Sequence, residues 1–155
     1  MADLPRIYHD LVRFETELWA AVDARLRQDC GLPLTSFEIM QLVGRHPGRR
    51  VQDIAAEFAI TVGGTSKVVD RIEAAGHCRR VPNPTDRRSA LIELTAAGAE
   101  KLAEAVPVFQ DELERRLGSV LSEAELDRLA LSLSVLRAGT AAVHDQDDDM
   151  SLAYS

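Results

Sequence analysis

The chain has very little cysteine. Cys30 and Cys78, the two among 155 residues, lie far apart with no Cys-x-x-Cys spacing. That argues against a disulfide framework and against a thiolate zinc site. The four histidines, His9, His46, His77 and His144, are equally scattered. No His-x-x-x-His places two rings on one helix face, so neither a metal nor a cofactor is expected. Aromatic residues make up 5% of the chain, with a single tryptophan, Trp19. No apolar run approaches the roughly 20 residues of a bilayer span. The opening MADLPRIYHD lacks the charged-then-apolar pattern of a signal peptide. The expectation is a cytoplasmic protein with no membrane partner. Catalytic spacings are missing as well: no nucleophile–base pair, paired carboxylates or phosphate loop stands out. Gly63-Gly64-Thr65-Ser66-Lys67 has part of a phosphate loop's composition, but not its first glycine or its Gly-Lys-Ser/Thr order. No enzymatic activity is expected.

What is present is an uneven charge. The net charge of −7 conceals a segment, 44–88, with nine cations against five anions. That segment is +4 and the remainder −11. A basic segment inside an acidic protein suggests a face for a polyanion on a scaffold that repels polyanions elsewhere.

Hydrophobic spacing supplies the elements. Apolar residues at 4, 7, 11, 14, 18, 22 and 26 alternate steps of three and four, predicting one long amphipathic helix over 4–29 with Pro5 in its first turn. Gly31-Leu32-Pro33 ends it, and Thr35 with Glu38 forms a capping box for a helix over 36–46. His46-Pro47-Gly48 stops that helix. Val51, Ile54, Ala55 and Phe58 mark a two-turn helix, 51–58. After the tight link Ala59-Ile60-Thr61 comes another helix, from Val62 to a glycine cap at Gly76. Two short helices closed in this way read as a helix-turn-helix. His77-Cys78-Arg79-Arg80-Val81 and the alternating Ala90–Thr95 stretch then form a β-hairpin around the turn NPTDRRS. Thr95 can cap a helix over 96–117, in which Pro107 predicts a kink. Ser122 and Glu125 box the start of a last helix, 123–142. The tail, 143–155, is acidic, poor in apolar residues and expected to be disordered.

The expected fold is therefore mainly α with a small β-hairpin wing, a single domain over 1–142. A winged helix-turn-helix lobe, 35–95, is combined with a helical dimerisation region built from both chain ends, 4–29 and 96–142. The terminal helices carry more apolar surface than the small lobe needs, which makes a homodimer the simplest partner arrangement. In such a fold the helix starting near Thr61 enters a major groove, and the hairpin lies beside a neighbouring minor groove. That explains the adjacent Arg87 and Arg88 at the hairpin tip: a narrow minor groove carries strong negative potential that a guanidinium can enter. Asp86 is placed to pair with an arginine and hold it poised.

The run VVDRIEAAGHCRRVPNPTDRRSALIELTAAG resembles the signature of the MarR family of bacterial regulators. Its Asp-Arg-Ile-Glu, Gly76, Asp86-Arg87-Arg88 and Leu94-Thr95 elements carry the likeness, and the helix order extends it over about 5–142. The resemblance implies a homodimer bound to a pseudo-palindromic double-stranded DNA operator, usually as a repressor, and loosened by a small-molecule effector. It places the wing contact on Asp86, Arg88 and the assisting Arg87. The base-reading positions fall on Ser66 and Lys67, with Thr61 at the cap, Thr65 beside them and Arg71 one turn further. Gly63 and Gly64 depart from the pattern and weaken the helix start by roughly 1 kcal/mol each relative to alanine. A late start, or ordering only on DNA, is the expected consequence. For Arg79 and Arg80 two readings stay open, a contact with phosphate or a place on the wing's outer face without one. The family's effector pocket points by position to Arg13, Phe14, Trp19 and Phe37. Two other readings stay open: a helical protein-interaction adaptor that has lost DNA, and a thiol-based redox sensor. Against the second, Asp29 beside Cys30 would raise the thiol pKa.

Overall fold

The computed structural model describes residues 1–152, with side chains described through residue 140. The chain divides into two compact units, Met1–Glu112 and the residues from Leu113 onward.

The first unit opens with α1, Leu4–Cys30. The Asp3 carboxylate accepts from the Arg6 N–H at 3.1 Å, and Gly31, at φ +64°, turns the chain out of the helix. Only the last third of α1 is buried, through Val22, Leu26 and Cys30; Leu4, Ile7, Leu11 and Phe14 remain exposed. Helix α2, Leu34–Arg45, starts two residues earlier than the spacing predicts and does not use the Thr35–Glu38 box. The Leu34 N–H instead donates to Asp23 of α1 at 2.8 Å, a cap supplied across the fold. One face of α2 buries Phe37, Met40 and Val43 completely or nearly so. Phe37 packs against Phe109 with ring centroids 4.8 Å apart. Ile54, Ala55, Val69, Ile72 and Ile92 complete this core. Burying a side chain of this size contributes about 1.5–3 kcal/mol.

A two-residue strand that the sequence pattern does not announce, β1 (Arg49–Arg50), leads into α3 (Val51–Glu57). Asp53 closes the start of α3 by accepting from the Arg50 N–H at 2.9 Å and binding its guanidinium at 2.8 and 3.0 Å. These bonds hold the Asp53 carboxyl down to about 2, below the usual carboxylate range. The stabilisation is complete above pH 4 and is lost as pH falls through the folded value. Asp53→Asn should therefore flatten the loss of thermal stability between pH 4 and pH 2; an unchanged acid limb would remove Asp53 from that role.

After Ala59, which takes a left-handed φ of +51°, helix α4 spans Val62–Ala74 and Gly76 (φ +78°) closes it. Strands β2 (Cys78–Pro82) and β3 (Ala90–Leu94) form the hairpin, paired from Cys78 with Leu94 to Pro82 with Ala90. Strand β1 adds to the other edge of β3, giving an antiparallel sheet of order β1-β3-β2. Thr95 caps α5 (Ala96–Leu113), accepting from the Gly98 N–H at 3.0 Å.

In the second unit, a single π-helical stretch, Glu114–Gly118, replaces the last turn expected of the preceding helix. The Ser122–Glu125 box is present: the Ser122 N–H and Oγ–H both donate to Glu125, at 2.9 and 2.7 Å. Helix α6 runs Glu123–Leu152, so 143–152 is helical backbone rather than the disordered tail expected; the final three residues lie outside the described residues. No helix among the described residues is long and apolar enough to cross a membrane.

Candidate nucleic-acid interface

The glycine-bearing start of α4 is helical. The Thr61 hydroxyl accepts from the Gly64 N–H at 3.1 Å, and the helix begins at Val62, not late as the glycines alone imply. From this cap, Ser66, Lys67 and Arg71 follow at helical spacing. Lys67 and Arg71 are exposed and Ser66 half-buried. Thr65 is different. It is fully buried, and its hydroxyl donates to the Thr61 carbonyl at 2.9 Å, so it is a core residue out of reach of DNA.

The wing turn is built on a residue whose role the sequence reading missed. Asn83 is 8% exposed; its amide donates to Ser89 Oγ at 2.9 Å, and its carbonyl oxygen accepts from the Thr85 N–H and hydroxyl. Such side-chain bonds stand in for backbone turns and fix the loop without a sheet. Asp86 accepts from the Arg88 N–H at 3.0 Å. It therefore shapes the backbone under Arg88 instead of pairing with a guanidinium, as the sequence had suggested. Arg87 and Arg88 are exposed, and neither has an ion pair among the described residues.

Neighbouring charges are arranged so that the carboxylates are occupied. Arg80 Nη2 lies 2.7 Å from Asp70 and Nη1 2.9 Å from Glu73, both on α4, and the Arg80 N–H donates to Glu73 as well. Burial works against the Arg80 charge, but the bonds to Asp70 and Glu73 outweigh it and raise its pKa. Arg79 Nη2 is 3.2 Å from Glu93 across the hairpin. Arg80 is thus a clamp between β2 and α4, not a free outer-face cation. Since Asp70 and Glu73 face Arg80, Arg71 has no carboxylate partner among the described residues and stands beside Lys67. The sequence showed the charges but not this sorting, because the partners are up to 14 residues apart on different elements.

Between these elements lies a cleft of about 230 Å³, lined by Arg50, Ser66, Arg80, Arg88 and Ser89 among others. The structure thus brings Ser66 of α4 and Arg88 of the wing to one depression. Their lining is cationic and hydroxylic, suited to phosphate oxygens.

The four effector-pocket positions do not converge. Arg13 pairs with Glu17 on the outside of α1 at 2.8 Å, and Phe14 is exposed beside it. Phe37 is buried core. Trp19 lines a cavity, with Glu38, Phe58 and Ile60. Both cysteines are buried: burial raises the Cys30 thiol, and burial with Glu73 nearby pushes Cys78 up to about 11. Neither has the depressed pKa of a reactive thiol.

Comparison with known proteins agrees with this geometry. A family model described as MarR family matches residues 31–89. The chain belongs to the MarR family of winged helix-turn-helix transcriptional regulators. The MarR-family match spans α2, both helices of the helix-turn-helix and the wing turn, and includes every position from Thr61 to Arg88 discussed above. The HTH-type transcriptional regulator YkoM of Bacillus subtilis is 28% identical over 116 residues, 75% of this chain and 71% of that one. The crystal structure of a MarR family transcriptional regulator from Streptomyces coelicolor in complex with DNA superposes with a TM-score of 0.82 at 23% identity, covering 90% of this chain and 89% of that one. The transcriptional repressor CouR, bound to a 23-mer DNA duplex, superposes with a TM-score of 0.79 at 26% identity, covering 88% of this chain and 96% of that one.

Proposed function

We propose that this MarR-family regulator is a homodimeric repressor that binds a pseudo-palindromic operator in double-stranded DNA and is released by a small-molecule effector. The observation that carries the reading is the sorting of charge. Among the described residues, Lys67 and Arg71 on α4 and Arg87 and Arg88 on the wing are left without carboxylate partners, while Arg79 and Arg80 take the carboxylates around them. Helix α4 supplies Ser66, Lys67 and Arg71 to a major groove, with Thr61 fixing its start. The wing supplies Arg88, assisted by Arg87, to the adjacent minor groove, with Asp86 setting the loop. The solved relatives named above, one in complex with DNA and one bound to a 23-mer duplex, support this use of the fold.

Selection of bound duplexes from a genomic fragment pool tests it. The expected product is an inverted repeat with half-sites about one helical turn apart. Recovery of unrelated sequences would overturn the operator reading and favour a protein-interaction adaptor.

Dimerisation is supported by the stripe of Leu4, Ile7, Leu11 and Phe14 on α1. These side chains share one helix face, and that much uncovered apolar surface is unusual for a monomer. Leu11→Glu should shift the protein from dimer to monomer in analytical ultracentrifugation at micromolar concentration. An unchanged sedimentation coefficient would place the dimer contact elsewhere.

A further inference from the structure

Glu38 stands apart from the other charged groups of the lobe. It sits half-buried on α2 with no hydrogen bond or ion pair among the described residues. Burial pushes its carboxyl pKa up. It is the single charged residue lining a cavity of about 340 Å³, whose remaining walls are Trp19 of α1, Thr35 and Ile39 of α2, Phe58 and Ile60 at the α3–α4 link, and Val68 of α4. A half-desolvated anion at the edge of an apolar chamber attracts a cation that carries apolar surface of its own. Trp19 and Phe58 add ring faces that an ammonium group favours. Arg45 and His46 share a different groove with Glu38, on the side toward Phe109, and do not line this one.

We propose that this cavity is a binding site for a small hydrophobic cation, an alkyl or aryl ammonium compound, with Glu38 as its counter-ion and Trp19 and Phe58 as its walls. The proposal rests on the regulator reading only in giving the effector a chemical class. Ile60 and Val68 connect the cavity to the start and middle of α4, so an occupant touches the helix that carries Ser66, Lys67 and Arg71.

Trp19 is the chain's one tryptophan and reports occupancy directly. The test titrates the full chain, without DNA, with octyltrimethylammonium chloride below its micelle concentration. Octanol and octanoate serve as neutral and anionic counterparts. The expected result is a saturable shift of Trp19 emission with the cation, at least tenfold tighter than with either counterpart. Glu38→Gln, confirmed as folded by circular dichroism, should weaken it tenfold or more, and Glu38→Asp less. No saturable shift, an equal response to all three probes, or full retention by Glu38→Gln would overturn the proposal. DNA is absent from the titration, so a failure here leaves the operator reading to its own test.

Discussion

Gly98→Ala should destabilise the fold by about 3 kcal/mol or more, at the upper end of the range for overpacked sites. A Cβ at this position would stand 1.9 Å from the His77 carbonyl oxygen and 2.7 Å from its carbon. The Cβ is fixed by the α5 backbone and meets backbone atoms of His77, so no side chain can rotate away. Gly98 lies in the first turn of α5, and His77 lies between α4 and β2. Around them the Thr95 N–H donates to the His77 carbonyl at 3.1 Å, and the Thr95 hydroxyl donates to the Gly76 carbonyl at 2.6 Å. Relief of the clash requires α5 to lift from the α4–β2 turn, breaking both bonds. At this size each kcal/mol lowers the melting temperature by roughly 2–4 °C, so a fall of roughly 10 °C is expected in calorimetry. Gly63→Ala is the control, because a Cβ there meets nothing within 4 Å. It should be neutral or stabilising by up to about 1 kcal/mol. A Gly98→Ala melting temperature equal to wild type would mean that α5 does not seat against His77.

The second large effect is on DNA. Arg88→Ala should weaken binding to the selected operator by tenfold or more, about 1.4 kcal/mol. Arg87→Ala combined with Arg88→Ala should weaken it about a hundredfold. The loop itself should survive, because Asn83, Thr85 and Ser89 hold it through bonds that involve neither guanidinium. Arg79→Ala is the matched comparison: it also removes a wing arginine, but one bound to Glu93. Its exposed pair is worth about 0–1 kcal/mol, and its effect on DNA should be small. Equal losses from Arg79→Ala and Arg88→Ala would mean that general charge, not position, sets the affinity.

These outcomes separate what the chain makes readable locally from what it does not. The stripe of α1, the Thr61 and Thr95 caps and the Gly76 turn are legible because each depends on residues a few positions apart. Strand β1 is not: two arginines become a strand only because Leu91 and Ile92 arrive beside them. The cap of α2 comes from Asp23, eleven residues back on another helix, and so the nearer Thr35–Glu38 box misled. Thr65 was misread for a related reason. Its hydroxyl suggests a surface contact, yet a carbonyl one turn earlier satisfies it and lets it be buried. The same holds for Arg80, whose number of neighbouring charges is visible in the sequence but whose partners are set by how β2 crosses α4. Among the effector positions, family placement alone could not separate the core ring of Phe37 from the cavity wall of Trp19.

The central claim is that unpaired cations on α4 and the wing meet DNA phosphate. Fluorescence anisotropy of the wild-type chain on its selected duplex, repeated from 50 to 300 mM salt, tests it most directly. Each phosphate contact contributes a slope of about −0.9 to log affinity against log salt. With Lys67, Arg71, Arg87 and Arg88 engaged, the slope should be about −3.6 for one protomer and steeper for a dimer on two half-sites, and Arg88→Ala should reduce it. A slope near zero, or one that Arg88→Ala leaves unchanged, would contradict the account.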